Sequence, residues 1–95
     1  MGLSVRPQHA TGTYTGDGAA QNIVLGFRPM IVICYNETDG DVLFLGIDGL
    51  ADGKAISVDT EVALEAANCL TFTNQGFSVG TTMSESAKVF RYYAV

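Results

Sequence analysis

Three short glycine-containing runs constrain this chain more than anything else in it: Gly12-Thr13-Tyr14-Thr15-Gly16-Asp17-Gly18, Leu25-Gly26-Phe27-Arg28-Pro29 and Gly76-Phe77-Ser78-Val79-Gly80. Threonine, tyrosine, phenylalanine and valine favour the pleated, half-buried surface of a strand, and glycine admits the backbone angles that end one. None of the three runs carries a set of side chains able to do chemistry. Architecture is therefore legible first, and function has to be reached through partners.

The rest of the chain follows the same rhythm. Thr11, Thr13 and Thr15 alternate with Gly12 and Tyr14, and the Gly16-Asp17-Gly18 turn predicts a hairpin. Asn22 to Leu25 resumes an extended run, Gly26 permits a bulge or close approach, Phe27 anchors the end, and Pro29 interrupts pairing. Met30 to Tyr35 is almost wholly apolar, which predicts a strand covered on both faces, in the middle of a sandwich or at a subunit contact. Val42 to Leu45 is of the same type, Gly46 to Gly53 reads as a loop or bulged turn, and Ala55 to Val58 alternates like a half-buried strand. Asp59 or Thr60 could cap a short helix, but Val62 and Leu64 alternate with Ala63 and Glu65, which favours a strand or irregular connection.

Leu70 to Thr73 and Phe77 to Gly80 flank the Asn74-Gln75-Gly76 turn as a compact hairpin. A polar loop, Thr81 to Ala87, leads to a last strand from Lys88 to Val95. The expectation is an all-β fold, a single small β-sandwich or flattened barrel of about seven to eight mostly antiparallel strands. Residues 10–95 form that domain, and residues 1–9 form an N-terminal arm, either frayed or docked on a neighbour through Leu3 and Val5.

Composition narrows the partners. A domain of 95 residues hides only about 60 to 70% of its unfolded surface. Yet 47% of this one is hydrophobic and 16% charged, against roughly 25% charged in an average soluble domain. Some apolar surface is thus expected to meet another subunit. The net charge of −5, with Arg6, Arg28, Lys54, Lys88 and Arg91 scattered, argues against nucleic acid. An acidic surface is repelled by anionic lipid, and no apolar run approaches the roughly 20 residues of a membrane span.

The N-terminus lacks a secretory pattern, and Arg6 stands where a myristoylation motif at Gly2 needs Ser or Thr, so a cytoplasmic origin is expected. Cys34 and Cys69 lack metal-like spacing and read as buried thiols rather than a disulfide.

Candidate chemistry is sparse. His9 is the single histidine and reads as a solvent-exposed arm residue, and a thiol at Cys34 inside an apolar strand stays protonated. Asp39, Asp41, Asp48 and Asp52 miss the spacing of a calcium loop and read as turn formers. Glu61 and Glu65 could pair as glycosidase carboxylates, but no tryptophan is present for a sugar to stack on. Most of the tyrosines and phenylalanines are needed for the core, and adjacent Tyr92 and Tyr93 must point to opposite faces. No catalytic, metal-binding or cofactor-binding residue is assigned, and the chain is not expected to be an enzyme.

In these motifs and their order, residues 12 to 95 resemble a β-sandwich module of structural proteins of tailed bacteriophages. That module opens with Gly-x-Tyr-x-Gly-Asp/Asn-Gly, continues through Leu-Gly-Phe-x-Pro, and closes with Gly-Phe-x-Val-Gly before a tyrosine-rich last strand. The matching positions here are Tyr14, Gly16, Asp17, Gly18, Gly26, Phe27, Pro29, Gly76, Phe77, Gly80 and Tyr92. After Gly80 the chain departs from the pattern: Thr81 to Ser86 replace an asparagine and glycine.

In long phage proteins the module is appended to tail fibres; here it begins at Met1 and is expected to be the whole product. The resemblance implies a virion protein assembled in a bacterial cytoplasm, most simply a capsid decoration or cement protein. Its partners would be the major capsid protein and itself, as a homotrimer, with Leu3, Val5, Arg6 and Pro7 facing the capsid. The alternative is a tail-tip or tail-fibre module contacting the host surface, with lectin-like binding through Asn36, Asn68, Asn74 and Gln75.

Overall fold

The computed structural model describes residues 8–95, so the arm positions Leu3, Val5, Arg6 and Pro7 lie outside the described residues. Nine strands follow in chain order: β1 (Ala10–Thr15), β2 (Gln21–Val24), β3 (Ile31–Asn36), β4 (Leu43–Ile47), β5 (Ala55–Val58), β6 (Val62–Glu65), β7 (Leu70–Thr73), β8 (Gly76–Val79) and β9 (Val89–Ala94). They form a six-stranded sheet ordered β1-β9-β3-β4-β5-β6 and a three-stranded sheet ordered β2-β8-β7. Every pairing is antiparallel. The sheets do not close on each other, so the fold is a small open sandwich and not a barrel.

The core lies where the small sheet covers the large one. Val32, Cys34, Phe44, Phe90 and Ala94 from the large sheet and Leu70, Phe77 and Val79 from the small one are buried. Tyr14 stacks on Phe90 with ring centroids 5.2 Å apart, and Phe77 meets Tyr92 edge-on at 5.4 Å. Glycine lets the layers approach. A Cβ on Gly46 would strike the Leu70 side chain of the other sheet, and within the large sheet one on Gly12 would lie 2.7 Å from the hydroxyl of its strand partner Tyr92.

Two expectations hold in detail. The β7–β8 hairpin turns through Asn74 and Gln75, with Thr73 opposite Gly76. Val62 to Glu65 is a strand and not a helix.

Three readings are corrected. Gly16-Asp17-Gly18 does not make a hairpin, because β1 pairs with β9 in one sheet and β2 with β8 in the other. The turn is a corner between layers, held by Gly18 N–H donating to the Ser84 carbonyl at 2.7 Å. The stretch from Gly46 is not all loop, since β4 continues through Ile47. The polar loop after Gly80 is partly core: Met83 and Ser84 are fully buried beside a short 3-10 turn, Thr81–Met83. There Tyr14 Oη donates to the Met83 carbonyl at 2.8 Å, and Gln21 Nε2 donates to Ser84 Oγ at 3.0 Å.

Candidate interaction surface

The groups considered for chemistry are dispersed. His9 is exposed. Cys34 lies 3.2 Å from Tyr14 Oη, and burial pushes its thiol up to about 11 against a smaller opposing effect of that hydroxyl. Burial also raises Cys69, helped by the negative charge of Glu65. Both thiols are free, buried and protonated at neutral pH.

The aspartates serve turns and surface ion pairs. Asp39 accepts from Lys88 Nζ at 2.8 Å and from Asn36 Nδ2 at 3.1 Å, and the bond from Lys88 holds its carboxyl below the usual range. Asp48 is lowered in the same way by Arg28, 2.9 Å away. Among the described residues, no three histidine, cysteine, aspartate or glutamate side chains are grouped to hold a metal ion.

Of the residues considered for sugar binding, Asn36 and Asn74 have their side-chain amides bonded within the fold, and Asn68 and Gln75 serve turns through their backbone. Asn36 is buried, and its Oδ1 accepts from the Asp39 N–H at 3.0 Å. Asn68 sits in a left-handed turn with φ 64°. Asn74 Oδ1 receives Arg28 Nη1 at 3.4 Å, and the Gln75 carbonyl receives the N–H groups of Leu25 and Gly26.

The motif positions converge instead on the frame of the fold. Gly26 turns with φ 89°, bringing the second motif onto the Asn74-Gln75 turn before the third. A Cβ on Gly76 would strike the Ile23 carbonyl, one on Gly16 the backbone of Glu85, and one on Gly80 the backbone of Asn68. Asp17 Oδ1 accepts from the Ala19 N–H at 2.9 Å, closing the corner. Pro29 is buried, and Phe27 is half-buried beside it. Sequence spacing identified these residues; the structure assigns them to packing and turns.

What the spacing did not reveal is the outer face of the six-stranded sheet. Alternation along each strand and the pairing registers align its outward side chains into cross-strand rows. One row runs Thr11, Tyr93, Ile33, Leu45, Ile56, Leu64 across all six strands. The next runs Thr13, Arg91, Tyr35, Leu43, Val58, Val62. Ile31 and Ile47 pair beyond the first row.

Seven of the nine large hydrophobic residues left exposed among the described residues belong to this face: Ile31, Tyr35, Ile47, Val58, Val62, Leu64 and Tyr93. Its one charged outward side chain among the described residues is Arg91, whose Nε donates to Glu37 Oε1 at 2.8 Å. A shallow hollow of about 390 Å³ lies among Thr11, Ile33, Tyr35, Arg91 and Tyr93.

The small sheet provides the contrast within the same molecule. Its outward row is Asn22, Ser78, Thr71, with Val24, Gly76 and Thr73 beside it. Apart from Val24, the outward positions of the small sheet are thus polar or glycine, whereas the large sheet's outer face is apolar. β3 is accordingly not covered on both faces in the protomer: Ile31 and Tyr35 are 37% and 38% exposed. The signal was present in the nearly unbroken apolar runs of β3 and β4, but a run of that kind reads the same whether its second face meets another layer or nothing.

No family model matches the chain, and no curated protein or solved structure matches it.

Proposed function

We propose that this chain is a structural protein of a tailed-bacteriophage virion, acting as a decoration or cement protein on the assembled head. The observation that carries the reading is the outer face of the large sheet: a broad, nearly uncharged apolar surface with no grouped reactive side chains. A contiguous apolar patch of several hundred Å² is among the largest that monomeric soluble proteins leave open and is often functional. Such a surface gains free energy only when something covers it, which is the physics of a building block. The motifs that carry the likeness to the phage module lie in the frame of the fold: Gly76 abuts Leu25 where the second and third motifs meet, and Gly12 of the first packs on Tyr92 of the last strand.

In this role the protein binds the assembled lattice and not its free subunits, so its binding energy adds to the stability of the shell; at a free concentration about 100 times Kd, each site contributes about 2.7 kcal/mol. Repetition over the lattice multiplies weak contacts into durable attachment. The arm carrying Leu3, Val5, Arg6 and Pro7 is the proposed anchor.

The test is to add the purified protein to heads that lack it and to count bound copies by quantitative gel analysis and particle reconstruction. Occupancy in proportion to the capsid lattice, with a raised temperature of DNA release, is expected. Absence of binding, or a handful of copies confined to a tail, overturns the decoration role. Removing residues 1–9 is expected to abolish attachment while leaving the unfolding transition intact; attachment that survives refutes the arm as anchor.

A further inference from the structure

We infer that the outer face of the six-stranded sheet is a self-association surface, covered by the same face of a second copy of this chain across a two-fold axis. The inference goes beyond the virion reading and does not rest on it.

Size comes first. Six strands spaced about 4.8 Å apart, with about five residues rising about 3.3 Å each, make a face of roughly 29 by 17 Å, or about 500 Å². Two such faces hide about 1,000 Å² before side-chain relief is counted, which reaches the scale of a specific interface.

Charge then selects the occupant. The protein carries ten acidic residues, and none occupies an outward position on this sheet. Glu65, the one acid within its strands, lies on the covered side, where its Oε2 accepts from the buried Ser57 Oγ at 2.8 Å. Arg91 is already neutralised by Glu37. Two copies of an acidic protein can therefore close this face on itself without burying like charges. A cationic partner, which the net charge of −5 would otherwise attract, finds at the face only the Glu37 carboxylate at the end of β3, already paired with Arg91.

Shape points the same way. The hollow beside Tyr35 and Tyr93 lies on the β9–β3 half of the sheet, whereas the most exposed apolar side chains of this face, Val62 and Leu64, line the β6 edge beyond β5. A two-fold axis passing between β3 and β4, at the Ile33–Leu45 pair, brings the β5–β6 half of each copy over the β9–β1 half of the other. Each hollow then faces an apolar ridge, and the contact is made twice. Sheets packed face to face sit about 10 Å apart with their strands roughly aligned, and this geometry lets the two outer faces interdigitate. A three-fold cluster, by contrast, needs two different patches that fit each other, and the rows supply one patch that complements itself.

The test is the mass of the isolated full chain in solution at micromolar concentration, by sedimentation equilibrium. A dimer of twice 10.0 kDa is expected. Tyr35→Lys and Val58→Lys place a cation at positions already 38% and 39% exposed in the protomer, so the fold tolerates them. Each is expected to weaken the dimer on the order of 100-fold, because it buries an unpaired charge. Circular dichroism and the thermal midpoint of the monomeric variants report that the fold persists.

Val24→Lys, on the small sheet, is expected to leave the dimer intact. A monomeric wild type, a trimer, or a dimer indifferent to both face variants overturns the inference. A dimer that ignores phage heads retains it and removes the virion reading instead.

Discussion

Cys34 illustrates how a residue with reactive chemistry is turned into a structural one. Its thiol is completely buried between the sheets, which disfavours the thiolate despite the smaller opposing effect of the Tyr14 hydroxyl beside it; burial and the neighbouring thiol likewise disfavour the Tyr14 phenolate. Burial raises Cys34 from 9.0 to about 11 and raises Tyr14 well above its ordinary 10.0. The unfolded chain therefore loses its Cys34 proton near pH 9 while the folded chain keeps it. Between these values the native state binds more protons than the unfolded one, so stability falls as pH rises through that window. The loss from Cys34 reaches ~2–3 kcal/mol by pH 11. Urea unfolding of the wild type is expected to show the decline beginning near pH 9. In Cys34→Ala the decline from pH 9 is smaller, carried there by Cys69 alone before Tyr14 adds at higher pH, on top of a constant cavity penalty. Parallel pH profiles for the two proteins would show that Cys34 is not held neutral by burial.

At the level of strands and turns, glycine positions separate into those that define the architecture and those that merely tolerate it. Gly76 begins β8 where the Ile23 carbonyl leaves no room for a side chain, so Gly76→Ala must push β2 away from β8. Gly12 faces the end of a flexible tyrosine, and Gly18 has nothing within 4 Å but a φ of 80°. The expected order of destabilisation in urea is Gly76→Ala, at about 2 kcal/mol or more, above Gly18→Ala at about 1 kcal/mol. Gly12→Ala, relieved by a small shift of Tyr92, costs least, and a reversed order would show that close approach is not what fixes the β2–β8 pairing.

The same comparison explains what sequence could and could not convey. Local chemistry located the Asn74-Gln75 hairpin, the strand at Val62 to Glu65, and the opposite facing of Tyr92 and Tyr93. It could not reveal that Gly16-Asp17-Gly18 changes sheets, because a turn motif sets a reversal and not which edge the next strand joins. Nor could it show that Met83 is core, since its burial depends on Tyr14, 69 residues away, reaching its carbonyl. The open apolar face escaped for a related reason: it exists only once four registers place Tyr93, Ile33, Leu45, Ile56 and Leu64 in one row.

Across the whole molecule, charge and apolar surface are segregated, and that segregation predicts how association responds to salt. Each protomer carries −5, with its carboxylates in turns, at strand ends and on the covered side of the sheet, while the associating face holds a single neutralised arginine. Two copies repel at long range and attract only on contact. Raising the ionic strength from about 0.01 M to about 1 M shortens the screening length from ~30 Å to ~3 Å, removing the repulsion while leaving apolar burial in place. The dimer is therefore expected to tighten as salt is added, the opposite of an assembly made by ion pairs. Sedimentation equilibrium across that range measures the sign directly. Calorimetry of dilution adds an independent check, because burial of apolar rows requires a negative heat-capacity change on association. A dimer that dissociates in high salt would mean that its contacts run through Arg28, Lys88 or Arg91 and their carboxylate partners, and that the apolar rows of the large sheet lie outside the interface.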